Sequence, residues 1–350
     1  MKFTNLLKTA AMAGLVGAMS LTAASDPADA KTRWKMHAAF ASTVAVIGPP
    51  SRRVAAAVDA MSEGDFAIKV EEPGALVGGY AYFDPVAQGA FEAAWGTSGA
   101  NQGKNSVYAF FSTWPFGPAA PEFVAWFKYG GGNELAEEVY GRDNIKFVLC
   151  GMIPPETSGW FREPINSLDQ LKGLKMRFFG VGAKVMQKFG VSTQQLAAAD
   201  IYPALERGTI DATEFSMPAI DRTLGLNQIA KNNYFPGWHQ QSTSNELLVN
   251  MDSWNKLTDA QRAMLRTSCD AQIAEMIAEG EASQFQAMKD NVAAGVTNHR
   301  WPKEILDQFE AAWGEVLAEE LATNPDSKKV WESITTFRDN YKIWKDMGYL

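Results

Sequence analysis

The chain has 350 residues, 46% of them hydrophobic, and its 32 Lys and Arg set against 40 Asp and Glu leave a formal net charge of −8. That balance argues against nucleic acid or an anionic membrane as partner, and it means that an anionic ligand would have to be met by a local cation. With three His, two Cys and no Cys/His spacing of the zinc kind, the common zinc motifs are also excluded.

The first thirty residues carry a short basic start (Lys2, Lys8), an apolar and small-residue stretch from Ala10 to about Ala24, and an A-x-A pattern at Ala28-Asp29-Ala30. This is the pattern of a secretory signal peptide over residues 1–30, cleaved before Lys31, with the periplasm as destination. The stretch is too short and too rich in Gly and Ala for a membrane anchor, and no other segment approaches about 18 consecutive apolar residues. Removing it takes away Lys2, Lys8, Asp26 and Asp29, so the charge is unchanged. The remainder is long enough for two domains.

Trp34–Phe40 reads as a strand, Pro50–Met61 as a helix and Phe66–Val70 as a second strand, followed by helix-like, Gly-rich pieces from Tyr80 to Gly99. Lys146–Gly151 is an apolar strand. Ser167–Gly173 is a capped turn, Leu174–Phe179 a strand, Gly182–Phe189 and Ala198–Arg207 helices, and Asp211–Phe215 a short strand. Asn245–Asn250 looks like a strand returning to the first unit. Thr258-Asp259-Ala260-Gln261 is a capping box that opens a long helical region, with Pro302 and Pro325 punctuating later helices. The alternation predicts an α/β fold of two lobes. Lobe I spans 31–152 and is completed by roughly 241–290, lobe II spans 153–240, and 291–350 forms C-terminal helices. Such lobes make a clamp, with ligands at the carboxyl ends of parallel strands.

Cys150 lies in the apolar run Phe147-Val148-Leu149-Cys150, which favours a buried free thiol, although an oxidising compartment permits a bond to Cys269. No H-E-x-x-H, G-x-S-x-G or Walker A pattern occurs. Gly180-Val181-Gly182 lacks the third glycine of a dinucleotide loop, and Gly130-Gly131-Gly132 reads as a helix-entry or hinge loop. Arg177, near the end of a buried strand, needs an anion: either a ligand carboxylate held by its fork or a structural ion pair. Glu214, at the end of the Asp211–Phe215 strand, and Glu156, after a Pro-Pro turn, could share a cation or be solvated loop carboxylates.

Several segments together resemble the solute-binding receptors of tripartite ATP-independent periplasmic (TRAP) transporters, in particular the branch that binds 2-oxo and 2-hydroxy acids. They are Gly103-Lys104-Asn105, Ala109-Phe110-Phe111 with Pro115-Phe116-Gly117, Gly159-Trp160-Phe161, Leu171–Arg177, Gly208–Glu214 and Tyr234–Trp238, in matching order and spacing. The resemblance implies a two-lobed periplasmic binding protein-like clamp with long C-terminal helices. It also implies capture of a small organic acid for the TRAP membrane permease subunits. It places the acid's carboxylate on Arg177 and a metal ion, Ca²⁺ or Na⁺, on Glu156, Glu214 and the main chain of Phe215, with Gln240 a candidate. No catalytic cofactor is implied. Relatives often have Gln where Glu156 stands and Trp where Phe215 stands, and the extra anion favours Ca²⁺. Relatives also carry aromatic residues where this chain has Gly99-Ala100-Asn101-Gln102. That predicts a larger or more polar pocket, with Asn101 among the ligand-binding residues and room for a hydroxylated acid. Trp238 is expected to wall the pocket, while Trp160 could face pocket or core. The competing reading is a metal-assisted, lyase-type enzyme on the same scaffold, for which His239 is the one His near the site. Trp331, Ile334, Phe337, Tyr341 and Trp344 form an apolar stripe. The stripe could pack on the chain's own lobes or join a homodimer.

Overall fold

The computed structural model describes residues 31–350, so the expected signal peptide lies outside the described residues. Among the described residues eleven strands form two sheets. The first, in the order β2-β1-β3-β10-β4, is built from β1 (Thr32–Ala38), β2 (Phe66–Glu71), β3 (Ala93–Gly96), β4 (Ile145–Ile153) and β10 (Thr243–Asn250). The second, in the order β11-β9-β5-β8-β6-β7, comprises β5 (Gly159–Phe161), β6 (Lys175–Arg177), β7 (Ser192–Gln194), β8 (Ala212–Thr213), β9 (Asn232–Phe235) and β11 (Thr297–Arg300). The two-lobed α/β fold and the long C-terminal helices are as expected from the sequence. Among the described residues no helix is long and apolar enough to cross a membrane.

Two details differ from the sequence reading. β3 falls inside the stretch read as helix-like and Gly-rich. Its residues Ala93, Ala94 and Trp95 are fully buried, so it shows no alternation of apolar and polar positions to betray it. The C-terminal region, expected to be helical from 291 onward, first contributes β11, which pairs in parallel with β9 at the edge of the second sheet.

Two short segments and one long helix carry the chain between the sheets. The chain leaves β4 for β5 through residues 154–158, and it returns from β9 to β10 through residues 236–242. The two crossings are stitched together: Glu156 N donates to Gln240 O at 3.2 Å, and Gly237 N donates to Glu156 O at 3.0 Å. A side chain at Gly237 would stand 2.3 Å from Glu156 O, so only glycine permits this approach. A third connection is the 35-residue helix Asp259–Ala293, which packs on β4 of the first lobe and on helix Pro218–Thr223 of the second. Where it passes the crossing, a Cβ on Gly280 would lie 2.6 Å from the Pro154 ring.

That helix corrects the expectation of a free thiol. Its buried face sets Cys269 against β4, and Cys269 is bonded to Cys150 with their Cα atoms 4.1 Å apart. The bond closes a loop of 119 residues, so the oxidised chain has far fewer unfolded conformations. Cys269→Ser is expected to lower the unfolding free energy by about 4–5 kcal/mol. Denaturant titration of oxidised wild type against the variant checks this.

The first lobe also buries a carboxylate. Glu246 on β10 accepts hydrogen bonds from Ser98, from Tyr140 Oη at 2.6 Å, and from Tyr82 Oη and Asn101 Nδ2 at 3.3 Å. Burial outweighs these donors and pushes its pKa up from 4.5 to about 7. The folded state therefore holds the proton more tightly than the unfolded chain. This contribution to stability is complete below pH 4.5 and is lost as pH rises through 7, a fall of about 3 kcal/mol. The difference between the wild-type and Glu246→Gln stability profiles should carry that fall.

Candidate functional site

β6 and β8 run parallel, with Arg177 opposite Thr213, so Arg177 and the next residue along, Glu214, emerge together at the carboxyl ends of neighbouring strands. Arg177 Nη1 donates to Glu214 Oε1 at 2.6 Å and to Glu214 O at 2.8 Å, while Nε donates to Leu196 O at 3.2 Å. Both side chains are buried, 1% and 0% exposed. The structural ion pair weighed from the sequence is therefore present. It leaves one arm of the guanidinium over: Nη2 makes none of these bonds, and the Tyr80 hydroxyl of the first lobe reaches the guanidinium from across the cavity. The guanidinium carbon lies 5.1 Å from the centre of the Phe215 ring and 5.8 Å from that of Phe179, between two aromatic walls.

Arg177, Phe179 and Phe215 line a cavity of about 30 Å³ between the lobes, which Tyr80 and Thr97 face from the first lobe. Glu156 and Gln240, one from each crossing segment, line its floor. Glu156 Oε1 receives only long hydrogen bonds, from Ser216 at 3.3 Å and Thr243 at 3.4 Å, and its Oε2 is buried with no partner. Gln240 donates through Nε2 to Thr243 Oγ1 at 2.7 Å, and its Oε1 is likewise buried and unpartnered. Buried oxygens are ordinarily satisfied.

The two carboxylates titrate in opposite directions. Burial raises the Glu214 pKa, but the Arg177 charge, with help from His239 and from Phe179 N–H, brings it below its usual value. Glu156 is pushed well above its usual value by burial and by the charges of Glu214 and Asp221, which outweigh Arg177. Glu156 has no cation of its own, and one placed among these oxygens would compensate it. Glu156, Glu214 and His239 each offer a ligand atom within 4.8 Å of the others, all three buried. Gln240 Oε1 adds a further oxygen from the same floor. The residues present therefore fit a cation, and a set made mainly of oxygens suits a hard one.

Two expected pocket residues lie elsewhere. Asn101 is buried beneath the first lobe's surface, where it donates to Glu246 and does not line the cavity. The gap left by Gly99 is filled by the Phe179 ring, so the small residues there do not enlarge the pocket. Trp238 faces away from the cavity into the core and stacks on Phe309 at 4.7 Å, among Phe116 and Phe178. Its neighbour His239 packs on Phe178 at 4.8 Å and turns Nε2 to Glu214 Oε2 at 3.4 Å. Trp160, undecided from the sequence, is core. Its Nε1 donates to Asp221 at 2.7 Å behind the site, and burial pushes that carboxyl up to about 7.

Tyr80, Phe179, Ser216 and Thr243 were not singled out from the sequence. Phe179 carried the best signal, standing two residues beyond Arg177 on the same strand end. Tyr80, in a Gly-Gly-Tyr loop, had only loop composition to mark it.

Two lobes joined by crossing segments, with a charged cavity closed between them, define a solute-binding protein of the clamp class. Residues 43–324 match the model of bacterial extracellular solute-binding proteins, family 7, and the chain belongs to that family. Over its whole length it is 30% identical to the monocarboxylate 2-oxoacid-binding periplasmic protein all3028 of Nostoc sp., covering 97% of that protein. A TRAP transporter solute-binding protein from Bordetella bronchiseptica, solved with copurified calcium and picolinate, superposes with a TM-score of 0.89 at 33% identity. That match covers 91% of this chain and 95% of the other. One from Pseudoalteromonas atlantica, solved with sodium and pyruvate, gives 0.86 at 30% identity, covering 91% and 97%. The resemblance to TRAP receptors drawn from the sequence motifs agrees with these findings.

Proposed function

We propose that the protein is a periplasmic receptor that captures a small 2-oxo or 2-hydroxy monocarboxylate and delivers it to a TRAP permease. The observation that carries this reading is the buried Arg177 guanidinium lining a small interlobe cavity beside two unpartnered buried oxygens. The acid's carboxylate takes Nη2, while the rest of the guanidinium stays anchored on Glu214 and Leu196. The small volume argues against a long acid, and hinge motion about the two crossings has to open the cavity before an acid enters and is enclosed. The monocarboxylate 2-oxoacids of the Nostoc relative and the pyruvate and picolinate of the structural neighbours point the same way.

Glu156, Glu214, Gln240 and the main chain of Phe215 would hold a cation. When bound, it supplies positive charge for the acid's second oxygen. A charge count favours a divalent ion. One guanidinium faces two protein carboxylates and the ligand's own, which leaves two negative charges; Ca²⁺ cancels both and Na⁺ only one. The action is binding alone. In this reading the charged groups compensate the acid and its cation, and the one imidazole nearby addresses Glu214 and does not line the cavity.

Half of the C-terminal stripe is accounted for within the chain, since Trp331 packs on Phe110 and Trp114 and Ile334 is buried. The last turns are not: Ile343 is 70% exposed, Trp344 61% and Met347 84%. A homodimer covering those turns is the reading we favour, and light scattering of the exported chain, against a variant with Trp344 and Met347 made Ser, checks it. For the receptor itself, thermal shifts across a panel of carboxylic acids, with Ca²⁺ and with chelator, should single out short 2-oxo or 2-hydroxy acids in the presence of Ca²⁺. A panel in which no such acid raises the melting temperature would count against the function.

A further inference from the structure

We infer that Phe179 is both the lid of the pocket and the ruler that sets which acids fit, because its ring, carried on the second lobe, seats in a notch that Gly99 leaves on the first. This rests on the receptor reading and extends it to the acid's length.

A Cβ on Gly99 would stand 2.6 Å from Phe179 Cζ and 2.7 Å from Cε1, closer than carbon atoms approach without displacement. The glycine is not there for its backbone, which does not adopt the left-handed conformation; it is there for space. The notch is also stiff. Ser98 and Asn101, on either side of it, both donate to the buried Glu246. Thr97 Oγ1 and Ser112 Oγ are 2.8 Å apart beneath it.

On the other lobe, Phe179 is tied at its backbone to the acid-binding pair, since Phe179 N donates to Glu214 Oε1. Its ring lines the cavity, 6.3 Å from the Tyr80 ring. The ring therefore faces three things at once: the opposite lobe, the Arg177 guanidinium and the space left for the acid. A short 2-substituent leaves the ring in its notch. A longer one occupies the same volume, lifts the ring off Gly99 and holds the lobes apart. The ring thus takes over the wall that bulkier residues at positions 99–102 would have supplied.

The test is calorimetric titration with Ca²⁺ present, using pyruvate and 4-methyl-2-oxopentanoate on the wild type, Phe179→Ala, Phe179→Leu, Gly99→Ala and the Gly99→Ala/Phe179→Ala pair. Phe179→Ala is expected to shift the preference for pyruvate over the longer acid by at least about tenfold toward the longer one, the discrimination that a few methylenes carry. Phe179→Leu should shift it less in the same direction, and it reads the effect if the Ala variant folds poorly. Gly99→Ala is expected to weaken pyruvate about tenfold in the wild-type background and less than about twofold once Phe179 is Ala, as coupling through direct contact requires. An unchanged preference ratio in both Phe179 variants, or an undiminished Gly99→Ala loss in the Phe179→Ala background, overturns the inference. If the wild type binds acids but the variants behave in that way, only the ruler falls. If the wild type binds neither acid, the receptor reading falls with it.

Discussion

Replacing Arg177 by Met should abolish acid capture, with affinity falling at least about 1000-fold, the scale of removing one partner from a desolvated charge pair. Arg177 serves three partners in this reading: Nε donates to Leu196 O, Nη1 to Glu214, and the side chain lines the cavity where the acid would sit. An apolar side chain of similar length keeps the packing between Phe179 and Phe215 but leaves the ligand carboxylate and Glu214 without their cation. Lysine is not a substitute, because one ammonium cannot reach all three partners in a plane. The same change should cost about 3–5 kcal/mol of stability, since it leaves a buried carboxylate unpaired. That cost could be mistaken for a loss of binding through misfolding. Arg177→Met/Glu214→Gln separates the two, because neutralising Glu214 should restore most of the thermal stability while binding stays lost. Calorimetric titration beside thermal unfolding of both variants reads the outcome.

Removing divalent ions should have the second largest effect. With the cation absent, the acid would join two buried carboxylates that a single guanidinium cannot neutralise. We expect chelation to weaken acid binding by about 100-fold, equivalent to about 3 kcal/mol. Glu156 decides which ion restores it. It contributes one unpartnered oxygen, and its charge is what makes a monovalent ion insufficient. Glu156→Gln keeps the oxygen and the size and removes the charge. Sodium alone should then restore binding nearly as well as calcium, whereas in the wild type calcium should do so far better. Acid titrations in chelated buffer, with either ion added back, give the comparison.

Much of this was legible in the chain. β4 and β10 announce themselves by the apolar runs Phe147–Cys150 and Leu247–Val249, and the glycines after strand and helix ends mark where the chain turns. Arg177 drew notice because a guanidinium at the end of a buried strand needs an anion, and Glu214 because it follows a short strand. Their adjacency depends on β6 and β8 being parallel neighbours, which the spacing of strands and helices suggests but does not fix. Trp238 and Asn101 were misplaced because the sequence gives a residue's neighbours along the chain and not the side to which a loop residue turns. Trp238 turns toward Phe309, which lies some seventy residues further on. Phe179 escaped attention because its importance comes from Gly99 on the other lobe. The Cys150–Cys269 bond was equally invisible locally, since only the path of a 35-residue helix across β4 brings the two together.

The most direct test is a crystal structure of residues 31–350 grown with Ca²⁺ and a 2-oxo acid such as pyruvate. The prediction is an acid enclosed between the lobes with a carboxylate oxygen on Arg177 Nη2 and a cation in contact with Glu156 and Glu214. An acid bound away from Arg177, or a closed cleft in which Nη2 has taken a protein oxygen as its partner, would contradict it.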